Sequence, residues 1–143
     1  MSKNWPIIFP GKMITDIPLI SIVDDDDTVR AATESLVKSL GFQTSTFASA
    51  ESFLQSSSLS ETRCLILDVQ MPSMSGIELQ DRLSNLGFEI PIIFITAYPD
   101  DTVRQRALQA GAVAFLLKPF EVYGQRFVDS VLEALKKNQG PLP

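Results

Sequence analysis

An α/β fold built on one parallel sheet is predicted by three observations. Five short apolar runs alternate with five amphipathic stretches along the chain. The central runs, CLILDV and PIIFIT, are apolar at nearly every position, as strands covered on both faces must be. No hairpin signal joins neighbouring runs, so the strands need helical crossovers, which place helices on both sides of the sheet. With 143 residues, 45% hydrophobic and 20% charged, the chain reads as one globular domain able to bury a core without disulfide or metal staples.

The elements follow in order. Residues 1–16, MSKNWPIIFPGKMITD, break their apolar positions with Pro6, Pro10, Gly11 and Lys12, and form an extension without a signal peptide or membrane span. The domain proper is 17–137, and 138–143 is a tail or the start of a linker. The first strand is Pro18–Val23. Val29, Ala32, Leu36, Val37 and Leu40 place one apolar face on the first helix, closed by Gly41. Phe42–Phe47 is a half-polar strand suited to a sheet edge. Ala50–Leu54 is a short helix and Ser56–Glu61 a polar loop. Cys64–Val69 is the third strand, and Leu79, Leu83 and Leu86 mark the third helix. Pro91–Thr96 is the fourth strand, followed by a helix with Val103, Ala107 and Ala110 that ends at Gly111. Ala114–Leu117 is the fifth strand. The last helix carries Phe127, Val128, Val131, Leu132 and Leu135, and stops near Lys137, before Gly140 and proline.

Composition excludes several functions. The formal net charge is −5 and no lysine or arginine stripe is visible, so this chain is not expected to bind nucleic acid or an anionic membrane directly. There is no histidine, which removes a Ser/His or Cys/His nucleophilic pair, a His-ligated metal and any histidine phosphodonor. The single cysteine, Cys64, lies in an apolar strand and reads as a buried small hydrophobe in a reducing, cytoplasmic compartment.

In an open parallel sheet, ligands bind beyond the carboxyl ends of the strands. There the first strand runs into Asp24 and Asp25, the third ends at Asp68, the fourth at Thr96 and the fifth at Lys118. Three carboxylates without histidine or thiolate suit a hard divalent ion, Mg2+ or Mn2+. A metal, an ammonium and a hydroxyl around one carboxylate suit phosphoryl transfer, with Asp68 as the attacking group. Asp26 and Asp27, next in the run IVDDDDTVR, read as the N-cap and first-turn charge of the first helix.

Four stretches, IVDDDDTVR, LILDVQMPSMSG, FITA and GAVAFLLKPF, occur in order at spacings that resemble the receiver domain of two-component response regulators. The resemblance covers about Ile17 to Lys137. It implies a flavodoxin/CheY-like sheet of order 2-1-3-4-5 and a phosphorylation-activated switch fed by a sensor histidine kinase. By the same resemblance, Asp68 accepts the phosphoryl group. Asp25 binds Mg2+ directly, with Asp24 assisting and the backbone carbonyl of Gln70 completing the protein ligands. Thr96 hydrogen-bonds the phosphoryl group, Ala97 leaves it room and Lys118 pairs with it. Phe115 turns inward as a switch, and the Lys118–Pro119 bond is cis. The face of fourth helix, fifth strand and fifth helix serves a homodimer or an output domain. GAVAFLLKPFEVYGQRF is similar to receivers of the nitrogen-fixation and nitrate-response type. Trp5 and PIIFP have no counterpart in the family.

Two other classes compete. A haloacid-dehalogenase-type phosphatase also forms an aspartyl phosphate, but it needs an acid two residues after the nucleophile, where Gln70 stands. A pseudo-receiver acting by binding alone conflicts with the intact acidic set. On the receiver reading the chain is not expected to turn over an external phosphoester. No output domain lies within these residues, which fit a stand-alone receiver or one part of a longer regulator. Gln70 and Tyr98 stand where the family tunes dephosphorylation, and the bulk of Tyr98 favours a long-lived acyl phosphate. Tyr98→Ala is therefore expected to hydrolyse its acyl phosphate several-fold faster than wild type, measured as phosphate release; equal rates would remove the idea.

Overall fold

The computed structural model describes residues 16–119 and 124–137. The expectations for Trp5, for residues 1–15 of the 1–16 extension and for the 138–143 tail lie outside the described residues. Five strands form one parallel sheet, β1 (Leu19–Val23), β2 (Gln43–Phe47), β3 (Thr62–Asp68), β4 (Ile92–Thr96) and β5 (Ala114–Leu117), in the order β2-β1-β3-β4-β5. The helices between and after them are α1 (Asp27–Ser39), α2 (Ala50–Leu54), α3 (Gly76–Asn85), α4 (Asp101–Gln109) and α5 (Gln125–Lys137). The half-polar β2 lies at one edge, as its composition requires.

Strand alternation splits the core in two. Ile20, Ile22, Ile66, Ile93, Ile95 and Leu116 point to one face, where Val37 of α1 and Phe127 and Val131 of α5 meet them. Leu65, Leu67, Phe94 and Phe115 point to the other, against Phe53, Leu79, Leu83 and Ala107. Each buried aliphatic side chain contributes about 1.5–3 kcal/mol, so neither face can be given up to solvent. Cys64 belongs to the first cluster, fully buried, and its thiol is pushed up to about 12 by desolvation.

Local chemistry fixes the ends. Asp26 is the N-cap of α1 and accepts from the Thr28 and Val29 amides, with Asp27 in the first turn, so the second half of the aspartate run is architectural. Gly41 and Gly111 follow α1 and α4 with φ of +97° and +105°, the left-handed conformation that ends a helix on glycine. A Ser75/Glu78 capping box opens α3.

The helix faces differ from the expected stripes in detail. On α1, Thr33 is buried and Ala32 is exposed; the Thr33 hydroxyl donates to Val29 O at 2.8 Å, which satisfies it inside the core. On α5, Ala134 is buried and Leu132 is 45% exposed, because the buried face is Phe127, Val131, Ala134 and Leu135. Leu86 and Ala110 are C-caps, exposed just past the stripes of α3 and α4. β3 begins at Thr62, two residues before its apolar run. Thr62 donates to Ser58 O at 2.7 Å and accepts from Ser21 at 2.6 Å, so a buried hydroxyl of β1 is paired across the sheet. The expected polar loop contains a short 3-10 turn at Leu59–Glu61.

Gly76 is the close-approach position. A Cβ there would lie 2.2 Å from the Asp68 carbonyl oxygen and 3.1 Å from Val69 Cα, both backbone atoms. The Gly76 amide donates to Val69 O at 2.8 Å, clamping α3 onto the end of β3. Gly76→Ala should therefore lower the free energy of unfolding by about 1–3 kcal/mol in urea denaturation; an unchanged midpoint would mean the β3–α3 loop yields freely.

Candidate functional site

Five strand ends meet at the carboxyl edge of the sheet. The apolar ladders set their heights: Asp68 pairs with Ile95, one residue before Thr96, and Thr96 pairs with Leu117, one residue before Lys118. The Lys118 amide donates to Thr96 O at 2.8 Å, and the Lys118–Pro119 bond is cis, as expected.

Asp24 is fully buried at the end of β1. Its amide donates to Phe47 O at 3.1 Å, its Oδ1 accepts from the Asp26 amide at 2.9 Å, and Arg30 Nη1 donates to its carbonyl at 2.7 Å. Asp25 beside it is exposed, and Asp68 is buried. One ligand oxygen from each of Asp24, Asp25 and Asp68 lies within 4.8 Å of the others. Lys118 Nζ reaches between them, 3.0 Å from Asp24 Oδ2 and 3.4 Å from Asp68 Oδ1, with its side chain 11% exposed. The Asp24 contact is an ion pair without hydrogen-bond alignment, so Asp24 Oδ2 is buried and accepts no hydrogen bond.

The electrostatics follow from crowding. Burial pushes the Asp68 carboxyl up to about 7, the Asp24 charge adds to the rise, and Lys118 opposes it. Burial would lower Lys118, but its pairing with Asp24 and Asp68 wins and holds it above the ordinary lysine range. Both shifts describe a site with more negative charge than one lysine neutralises. An oxygen-only donor set with an unaligned buried carboxylate oxygen fits a hard divalent cation.

Thr96 is buried, and its hydroxyl is held by its own loop: it accepts from the Tyr98 amide at 3.0 Å and lies 3.3 Å from Tyr98 O. Gln70 is exposed in the loop after β3. Tyr98 is 62% exposed, so its ring stands largely in solvent. Phe115 is 8% exposed and packs at a tilt on Phe94, ring centroids 6.1 Å apart, so it already lies inward. The buried alternation of β5 puts Phe115 in the core, the inward placement that the resemblance gives it.

Two contributors were not singled out in the sequence. Arg30 ties the Asp24 carbonyl to Asp27, and Gly76 admits α3 against the Asp68 backbone. Both belong to the quoted stretches, at IVDDDDTVR and LILDVQMPSMSG, but a lone arginine or glycine carries no signal of a contact across a loop.

Sheet order and edge chemistry together define the receiver class of signalling domain. The family model for the response regulator receiver domain matches residues 20–125, and the chain belongs to that family. The response regulator protein TodT of Pseudomonas putida is 41% identical over 145 residues, which takes in 95% of this chain and 63% of TodT. The transcriptional regulatory protein FixJ of Rhizobium meliloti is 39% identical over 102 residues, 71% of this chain and 50% of FixJ. The solved structure of response regulator StyR has a TM-score of 0.75 and 42% identity, covering 85% of this chain and 61% of that one. The chain thus spans between half and two-thirds of the length of these relatives.

Because the Asp68 pKa is raised in the native state, that carboxyl favours folding fully below about pH 4, and its contribution is lost as pH rises through about 7. In metal-free buffer at pH 7.5, Asp68→Asn should be more stable than wild type by about 2 kcal/mol, the difference vanishing near pH 4. Urea titrations at the two pH values check this; a less stable variant at pH 7.5 would contradict the crowding described.

Proposed function

We propose that this domain is a phosphorylation-controlled switch in which Asp68 accepts a phosphoryl group from the phosphohistidine of a sensor histidine kinase. The observation that carries the reading is Lys118 Nζ bridging Asp24 and Asp68, with the third carboxylate in reach and Thr96 on the neighbouring strand. In the transfer, an Asp68 carboxylate oxygen attacks phosphorus as the P–N bond breaks, and the leaving imidazole nitrogen keeps the electron pair. Asp24, Asp25, Asp68 and the Gln70 carbonyl would hold Mg2+, which when bound neutralises charge on the phosphoryl oxygens. Lys118 supplies a fixed second cation. Asp24, buried and anchored by Arg30 and the Asp26 amide, holds that lysine in place. The aspartate is a phosphoacceptor; the chain catalyses its own phosphorylation from small donors and a slow loss of phosphate, and no external turnover.

The signal leaves through Thr96. A phosphoryl group on Asp68 offers its hydroxyl a stronger, charged acceptor than the Tyr98 loop does. Drawing it over pulls on the β4–α4 loop, while Phe115 under α4 transmits the shift to the α4-β5-α5 face. A surface pocket there is lined by Asp101 and Arg104 of α4, Phe115 and Leu117 of β5 and Arg126 of α5. That face then governs dimerisation or an output partner, and the relatives named as regulators of transcription make a DNA-binding output the favoured one. Among the described residues no helix is long and apolar enough to cross a membrane. Gln70 in place of a second acid weighs against the phosphatase class.

Incubation with acetyl phosphate should add one phosphoryl group by intact mass, only with Mg2+ or Mn2+, and none in Asp68→Asn. Lys118→Ala and Thr96→Ala should each slow or uncouple the reaction, with any dimer shift lost. No gain in mass under any metal would leave a pseudo-receiver.

A further inference from the structure

Among the five helices, α4 has the fewest buried residues: Ala107 alone, against two or more on each of the others. An alanine methyl removes little apolar surface from water, and Val103 adds only a half-buried contact. Burial therefore holds α4 weakly, and its polar ties matter more than those of its neighbours.

Those ties lie at one end. Ahead of Arg106 the polar side chains bond within the helix: Asp100 accepts from the Val103 amide, and Asp101 holds Arg104 and Gln105. At Arg106 and Ala107 the pattern changes. Arg106 Nη2 meets Asp81 Oδ2 of α3 at 3.0 Å, and Gln80 Nε2 of α3 donates to the Ala107 carbonyl at 3.1 Å. Adjacent residues of α3 thus grip adjacent residues of α4.

The two grips are unequal. Arg106 and Asp81 are exposed, where an ion pair contributes little. Gln80 is 6% exposed, and a hydrogen bond shielded from water is the stronger of the two. The amide is not there to satisfy α4. Ala107 O already accepts from the Ala112 amide at 3.0 Å, in the turn that closes the helix on Gly111. Nor is it there for stability, since its own Oε1 is buried and accepts nothing, which is unfavourable. An apolar side chain at this position would avoid that orphan oxygen. What the amide adds is direction, fixing one carbonyl of α4 against α3. Beside it, Leu83 and Ser84 of α3 line a cavity of about 450 Å³ together with Ala110, Gly111 and Ala112, so apolar contact does not lock this end.

We propose that Gln80 is the positioning residue of α4. It pins the helix by its last turn, so that the pull of Thr96 on the β4–α4 loop swings residues 100–103 about a fixed C-terminal end. The motion rests on the switch proposed above; the pin rests on the unphosphorylated geometry alone.

Amide hydrogen exchange followed by NMR tests both parts. In unphosphorylated wild-type protein, Gly111 and Ala112 should be protected several-fold more than Arg104 and Gln105. Gln80→Met keeps the side-chain length and removes both the donor and the orphan oxygen. It should erase that difference while the urea midpoint stays level or rises, and Gln80→Leu repeats the test with another shape. A glutamine that merely filled the core would lose midpoint and protection together in both variants, which overturns the proposal. So does a difference that survives both substitutions. With acetyl phosphate and Mg2+, wild-type protein that gains one phosphoryl group by mass should lose protection at Arg104 and Gln105 and keep it at Gly111 and Ala112. Equal loss at both ends overturns the pivot and leaves the phosphoryl reading intact. No gain in mass removes the phosphoryl reading, and the unphosphorylated comparison still decides the pin.

Discussion

The structure depends on keeping three like charges together. Two carboxylates about 4 Å apart repel by roughly 4 kcal/mol at an effective dielectric of 20, and here three are held within 4.8 Å. Nothing in the site itself pays that energy in full. It is offset by the strands, whose buried aliphatics on both faces fix where β1 and β3 end, and by Lys118, delivered by β5 from the far side. The backbone positions of Asp24 and Asp68 are set by strands whose side chains fill the core on both faces.

That constraint explains the division of labour among the neighbouring residues. Asp26 accepts from the amides at the start of α1 and Asp27 pairs with Arg30, so that only Asp24 and Asp25 remain to face Asp68. Arg30 on the second turn of that helix grips the Asp24 carbonyl, and the Asp26 amide grips one of its carboxylate oxygens. The remaining oxygen is left to the lysine. Asp24 is thus tied on three sides.

Much of this was legible in the sequence, because the signal was periodic or terminal. Apolar runs gave the strands, their last residues gave the edge chemistry, and the split of the aspartate run followed from where a helix must begin. What escaped was whatever depends on atoms brought together by folding. Thr33 looked polar but is buried, since its hydroxyl bonds within its own helix. Leu132 and Leu86 looked like core and face solvent, each lying just off or just past the buried face of its helix. Gly76 looked like one more loop glycine, although its missing Cβ is what lets α3 touch the Asp68 backbone.

Cys64, buried in β3 with its thiol held far from ionisation, has a practical corollary. It is the only cysteine in the sequence, so the native surface offers maleimides and other thiol reagents nothing to attack. One cysteine introduced on an exposed turn becomes the sole labelling point on the molecule, without first deleting a native residue. The same burial that fills the core makes the domain a clean background for distance measurements between any two chosen helices.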